Sequence, residues 1–175
     1  MRKGQQAERI WQSRRAHRTL WVLFMVYLFL LMWVVLLKSG FAIGVPMNQG
    51  DYAQALSFRW QSANRVPFRT ITNYLRVWGE SYAVQNLVGN VIAFVPLGAG
   101  YLLLCRRHPR FVGALLLGLG VSLAFELIQL FAGIGSFDVD DLILNVVGTV
   151  LGYAVMWGMN RICIRRMRSG RPHRA

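Results

Sequence analysis

Residues 19–37, 87–105, 111–132 and 142–159 form four stretches of 18 to 22 residues that are almost free of charge. No other feature constrains the fold as much. At 1.5 Å per residue, nineteen residues make roughly 28 Å of helix, close to the ~30 Å hydrocarbon core of a bilayer. Arg18 and Lys38 bound the first stretch, Arg106 and Arg107 close the second, and Arg161 follows the fourth. The first is too long for the apolar part of a signal peptide and lacks an A-x-A-like cleavage site, so it reads as an uncleaved span. Composition agrees. The chain is 55% hydrophobic yet carries 20 Lys and Arg against 7 Asp and Glu, a net charge of +13. A single soluble domain of 175 residues rarely combines the two, whereas a bilayer separates basic ends from apolar middles. With 13% aromatic residues disorder is excluded, and two cysteines are too few for a disulfide scaffold. The expected fold is an all-α membrane protein, a bundle of four transmembrane helices.

The basic residues orient it. Residues 1–18 hold six, the turn at 105–110 three and residues 160–175 six, whereas 38–85 hold five and 133–138 none. Fifteen of twenty fall on one side, which the positive-inside rule assigns to the cytoplasm. Both termini are then inside: a basic tail over 1–18, a membrane domain over 19–159, and a second basic tail over 160–175. Attraction to anionic lipid headgroups explains the tails without a nucleic-acid partner. Cys105 and Cys163 fall on the reducing side and are expected as free thiols.

The outer segment 39–84 carries structure of its own. Gly40, Gly44, Pro46 and Gly50 interrupt it early, and Asp51 is placed to cap a short helix over residues 52–60. After Pro67, Phe68, Ile71, Leu75 and Trp78 recur at helical spacing with Arg69, Asn73 and Arg76 opposite. That is an amphipathic helix, suited to the headgroup boundary or to packing over the bundle mouth.

Orientation turns scattered polar residues into a place. Asn86 and Asn90 lie one turn apart at the outer end of the second span, Glu126 and Gln129 at that of the third. Asp138, Asp141 and Asn145 share a face at the start of the fourth. Small residues continue these faces: Ala114, Gly118 and Ser122 before Glu126, Gly148 and Gly152 after Asn145, Gly89 and Ala93 beside Asn90. Such residues let membrane helices approach closely, so the polar side chains are expected to point inward. Asp140, about 100° from Asp141, is expected to point elsewhere. Pro96 is expected to kink the second span.

Plainer roles stand beside this one. Asp138 could cap the fourth helix, and Asn86, Asn90 and Asn145 could be interhelical glue. Gln129 could face the headgroups. Glu126, roughly 8 Å inside the outer edge, fits a plain role least: a charged carboxylate costs ~2.5–3.5 kcal/mol at the bilayer centre and less near the interface, so it must be paired, protonated or bathed in a water-filled pocket. His17, His108 and His173 fall at the other end, which argues against a Ser-His-Asp arrangement or a His-ligated zinc site. With no ligand-loop spacing, P-loop or GxGxxG, neither a metal nor a cofactor is expected. Arg65 and Arg69 could neutralise the acids or hold an anionic headgroup.

Two groups of motifs resemble a known family. Val66-Pro67-Phe68-Arg69-Thr70-Ile71 and Asn86-Leu87-Val88-Gly89-Asn90, running on to Phe94-Val95-Pro96-Leu97-Gly98, are similar to the opening motifs of the VanZ-like family. Glu126-Leu127-Ile128-Gln129, Phe137-Asp138-Val139-Asp140-Asp141 and Asn145-Val146-Val147-Gly148 resemble its closing motifs, the match spanning about residues 64–157. The resemblance implies a small multi-pass protein of the bacterial cytoplasmic membrane. The family's namesake is linked to resistance to the glycopeptide teicoplanin. Members often carry an Arg just before the Phe-Asp motif, where this chain reads Gly133-Ile134-Gly135-Ser136.

The leading expectation is a non-enzymatic envelope protein that binds membrane lipid, a lipid-linked precursor or a glycopeptide through Asn86, Asn90, Glu126, Gln129, Asp138, Asp141 and Asn145, aided by Arg65 and Arg69. A membrane hydrolase or transferase would instead use Glu126 and Asp141 as general acid and base. A transporter would need a homo-oligomer, since four short spans are a small frame.

Overall fold

The computed structural model describes residues 14–38, 49–105 and 109–169. The basic tail over 1–13, the breakers Gly40, Gly44 and Pro46, the turn residues Arg106 to His108 and the end of the second tail over 170–175 lie outside the described residues. Among those described, six helices form and no strand: α1 (Arg14–Lys38), α2 (Gln49–Gln61), α3 (Arg69–Arg76), α4 (Ser81–Leu104), α5 (Phe111–Ala132) and α6 (Val139–Ser169). α1, α4, α5 and α6 are long and apolar enough to cross a membrane. α5 has the limits of its apolar run, because Arg110 precedes it in extended conformation and Gly133 ends it at φ 76°, in the left-handed region. The other three outrun theirs. Charge marks where a span leaves hydrocarbon, not where the helix ends, and Arg is a good helix former, so α6 continues past Met159. There the Arg161 guanidinium stacks on Trp157, 4.3 Å from the ring centre.

Glycine brings α4 and α6 into backbone contact. A methyl group on Gly98 would run into the Thr149 carbonyl, one on Gly148 into that of Val91, and one on Gly152 into that of Val95. The expected stripe on α6 is therefore a packing face. On α4 the expectation needs correction: Gly89 faces open space, and Gly98 makes the close approach. The reason is phase, since Asn90, Phe94, Leu97 and Gly98 are the buried row of that helix. Thr149, wholly buried, sits where three helices meet, with Gly118 of α5 against its side chain. Its hydroxyl donates to the Asn145 carbonyl at 2.9 Å, which satisfies a polar group that burial would otherwise penalise.

Leu31, Phe94, Leu97 and Phe125 form the main apolar core, with the Phe94 and Phe125 rings edge-on at 6.2 Å. α1 joins it through Leu31 and through the Tyr27 hydroxyl, which donates to the Ala93 carbonyl at 2.8 Å. Elsewhere α1 exposes Trp21, Val22, Met25, Phe29, Leu30 and Trp33, a surface that only a hydrocarbon solvent makes economical. At one end of the bundle the C-terminal turns of α1 and α5 meet the N-terminal turns of α4 and α6. Gln129 donates to the Val35 carbonyl at 3.2 Å and Asn90 to Asp141 Oδ1 at 2.6 Å, so the four spans alternate in direction. At the other end the Tyr153 hydroxyl donates to the Pro109 carbonyl at 3.0 Å.

The short helices dock on the first of these ends. A helix leaves its last carbonyls without intrahelical donors, and α2 supplies two for α5. Arg59 Nη1 donates to the Leu130 carbonyl at 3.1 Å and the Tyr52 hydroxyl to that of Phe131 at 2.8 Å. α3 meets the bundle with Ile71 and Tyr74, half-buried, and leaves Leu75 exposed. Phe68 and Trp78 are also exposed and lie just outside the helix. The expected apolar stripe thus splits. Ile71 packs on the bundle, and Phe68, Leu75 and Trp78 stay exposed.

Candidate functional site

All seven side chains singled out as a polar cluster line one cavity of about 480 Å³ at that end of the bundle. A cavity of this size is within the range of small-molecule sites. α4 contributes Asn86 and Asn90, α5 contributes Glu126 and Gln129, and the start of α6 contributes Asp138, Asp141 and Asn145. Tyr74, Ser136, Gly135, Ile134 and Val35 complete the described lining. Helical phase explains the convergence. Glu126 is four residues beyond Ser122 and eight beyond Gly118, the row that α5 turns inward, and it is 3% exposed.

The wall is a hydrogen-bonded frame. Glu126 Oε2 accepts the Asp138 backbone N–H at 2.8 Å, so a carboxylate of α5 caps the approach to α6. Asp138 itself caps α6, as its plainer role requires, with Oδ1 accepting the Asp140 N–H at 2.8 Å. Asn90 donates both to Asp141 and to Asn86 Oδ1, the latter at 3.3 Å, and Asn86 donates to the Tyr74 hydroxyl at 3.1 Å. Gln129 is buried and donates to the Val35 carbonyl. Asn145 donates to Ser122 Oγ at 2.9 Å, but its Oδ1, on a side chain only 5% exposed, has no hydrogen-bond partner among the described residues. A buried acceptor left unpaired costs ~1–3 kcal/mol.

Charge is one-sided. Glu126, Asp138 and Asp141 line the cavity, and no described Lys, Arg or His does. Arg65 and Arg69, expected as counter-charges, are placed elsewhere. Arg65 lies over the Trp60 ring, 5.5 Å from its centre, and Arg69 is an exposed residue at the start of α3. Cation–π attraction holds Arg65 on α2. Arg59 binds the α5 terminus beside Gly133. Tyr74 lies above the usual phenol range, first because burial disfavours its phenolate and then because Asp141 and Asp138 repel it. It therefore keeps its proton. Among the described residues no group of three or more His, Cys, Asp or Glu is placed to hold a metal ion.

Asp140 points away from the cavity, as its angle on α6 implies, but its role was not legible. The side chain is fully buried and accepts the backbone N–H groups of Phe68, Thr70 and Ile71, the last two at 2.6 and 3.2 Å, and Asn64 Nδ2 at 3.3 Å. Asp138 joins it by accepting from Thr70 Oγ1 at 2.7 Å and Asn64 Nδ2 at 2.9 Å. A parallel bridge between Asn64 and Asp138 aligns the two segments. An acid on α6 thus caps α3, whose own N-cap residue, Phe68, sits at φ 66° with no side-chain cap. That backbone strain is held by the Phe68 N–H bond to Asp140. The clamp places Tyr74 over the cavity. His17 lies at the far end of α1, where it accepts from Trp21 Nε1 at 3.0 Å, and His108 and His173 lie outside the described residues.

Comparison with known proteins agrees with the motifs this geometry gathers. A family profile described as VanZ/LLP1 matches residues 24–162, which takes in the later part of the first span, nearly all of the other three and every described residue that lines the cavity. Among curated proteins, Protein VanZ of Enterococcus faecium is 31% identical over 136 residues, covering 73% of this chain and 66% of that protein's length. No solved structure matches the chain. The match therefore spans the frame of helices and the motifs that converge on the cavity, and the chain belongs to the VanZ/LLP1 family.

Proposed function

We propose that the chain sits in the bacterial cytoplasmic membrane with both termini inside and binds the polar part of an amphiphilic envelope molecule at its outer face. The candidates are a membrane lipid, a lipid-linked precursor and an amphiphilic glycopeptide such as teicoplanin, whose resistance is linked to the family's namesake. The observation that carries this reading is the cavity: seven polar side chains from three spans line one space of about 480 Å³ at the end of apolar helices. An amphiphile suits that boundary, because its apolar tail can stay along the exposed faces of the spans while its head enters the cavity. The basic residues of the tails and of the 105–110 turn support the outward orientation of this end. Exposed Phe68 and Trp78, with Leu75 between them in sequence, are side chains of the kind a headgroup-level belt uses.

Mass spectrometry of protein extracted in mild detergent tests the proposal. Wild type is expected to retain a near-stoichiometric amphiphile. Asn145→Leu at the floor and Ser136→Trp at the rim are expected to lower occupancy about tenfold, the effect of removing about 1.4 kcal/mol of binding. Their melting temperatures serve as the folding control. Folded variants that retain the same amphiphile in the same amount exclude the cavity as its site.

A further inference from the structure

We infer that the segment carrying α3 is a second binding surface, separate from the cavity, for the headgroups of anionic phospholipids in the leaflet it meets. Charge is the first support. Between Tyr52 and Gly79 the sequence holds four Arg and no Asp or Glu. Arg59 is bound to the Leu130 carbonyl, whereas Arg65, Arg69 and Arg76 are exposed. Among the described residues no hydrogen bond or ion pair engages the side chains of Arg69 and Arg76. Asp138 and Asp140, the acids that hold the start of α3, are bonded to Thr70, Asn64 and backbone N–H groups. Helical phase is the second. α3 half-buries Ile71 and Tyr74 and leaves Arg69, Thr72, Asn73 and Arg76 exposed. Arg69 and Arg76 are about two turns apart and so lie on one side. Exposed apolar side chains interleave with them: Phe68 precedes Arg69, Leu75 precedes Arg76, and Trp78 follows it.

Position is the third. The start of α3 is bonded to Asp140 in the first turn of α6, and its end lies just before Ser81, where α4 begins. α4 and α6 are both long and apolar enough to cross a membrane, so α3 is tethered at each end to the start of a span. Trp78 is separated from α4 by at most roughly 11 Å of chain. Apolar side chains at that level enter the headgroup boundary, and guanidinium groups among them bind phosphate oxygens through paired hydrogen bonds. A zwitterionic lipid sets its own cation beside the phosphate, so the anionic lipid is preferred. A second copy of the chain is a poorer occupant, because a symmetric contact would set arginines against arginines. The inference holds for whichever leaflet faces this end of the bundle.

The test uses the full chain in neutral-detergent micelles, with Cys105 and Cys163 replaced by serine and Asn73→Cys carrying an environment-sensitive dye. Phosphatidylglycerol or phosphatidylcholine with identical acyl chains is titrated into the micelles. The dye is expected to respond at a phosphatidylglycerol fraction at least about tenfold below that needed with phosphatidylcholine, and high salt is expected to shrink the difference. Arg69→Gln combined with Arg76→Gln is expected to remove most of the preference at an unchanged melting temperature, since both side chains are exposed. Arg69→Lys with Arg76→Lys keeps the charge and is expected to keep most of the preference, which separates loss of charge from loss of fold. Ser136→Trp separates this surface from the cavity. A response lost in Ser136→Trp and kept in the Gln pair would assign the lipid to the cavity, overturning the second surface and leaving the amphiphile reading in place. Equal responses to the two lipids, or a phosphatidylglycerol response that the Gln pair leaves unchanged, overturn the inference. So does a response that follows protein concentration instead of lipid fraction, which would assign the surface to a second copy of the chain.

Discussion

Gly152→Leu and Gly98→Leu are expected to destabilise the bundle by the upper end of the ~1–3 kcal/mol typical of overpacking, or more. A Cβ at Gly152 meets the Val95 carbonyl and one at Gly98 meets that of Thr149, and both obstacles are backbone atoms within helices. A flexible side chain could swing aside, but a carbonyl in a helical ladder cannot without breaking its own hydrogen bond. The only relief is to move α4 and α6 apart along their whole contact. That would also uncover Thr149, Gly118 and the floor of the cavity at Asn145. Gly120→Leu and Gly158→Leu are the controls, since both positions face open space. They are expected to leave stability unchanged or to raise it slightly, because leucine forms helix better than glycine. Thermal melting in detergent of the four variants checks this. Equal melting of all four would mean that α4 and α6 do not pack through their glycines.

Asp140→Ala has the second large effect, and its form is specific. The carboxylate accepts three backbone N–H groups and the Asn64 amide, so its removal leaves several donors unpaired in a dry site. By analogy with breaking a buried charged pair, the full penalty is roughly 3–5 kcal/mol. The protein can evade part of it by releasing the segment, whose N–H groups then bind water. Release of α3 is therefore expected before global unfolding, with Arg69 and Arg76 becoming sites of rapid tryptic cleavage while the four spans stay folded. Asp140→Asn is expected to behave similarly, because its NH2 would confront N–H donors. Asp51→Ala, at an exposed position, should not change cleavage at Arg69 or Arg76. A trypsin-resistant α3 in the Asp140 variants would remove the clamp from the account.

These two cases also divide what the sequence makes legible from what it does not. Hydropathy and charge locate four spans, because each span must match one membrane thickness and the charges cannot enter it. Helical phase then aligns Ser122 with Glu126 and Asn145 with Gly148 and Gly152, and the structure buries those rows. Seven of the cavity's side chains follow from periodicity within single helices together with the alternating direction of the spans. Contacts made across long separations do not. Asp140 acts on residues about 70 positions earlier and Arg59 on a carbonyl 71 positions later, and neither partner has a local signature. Tyr74 enters the cavity wall because α3 is clamped, so its place depends on Asp140. The places of Arg65 and Arg69 likewise have no local signature, since the Trp60 ring and the α3 start decide them.

The outward-facing cavity is tested most directly by labelling Ser136→Cys in a chain whose Cys105 and Cys163 are replaced by serine. Ser136 is exposed and lines the cavity, while the native Cys163 is exposed near the opposite end of α6. A membrane-impermeant maleimide is expected to modify Ser136→Cys on intact cells, and Cys163 of the wild-type chain is expected to react only after permeabilisation. Modification of Cys163 on intact cells, with Ser136→Cys reached only after permeabilisation, would place the cavity on the cytoplasmic side and contradict the account.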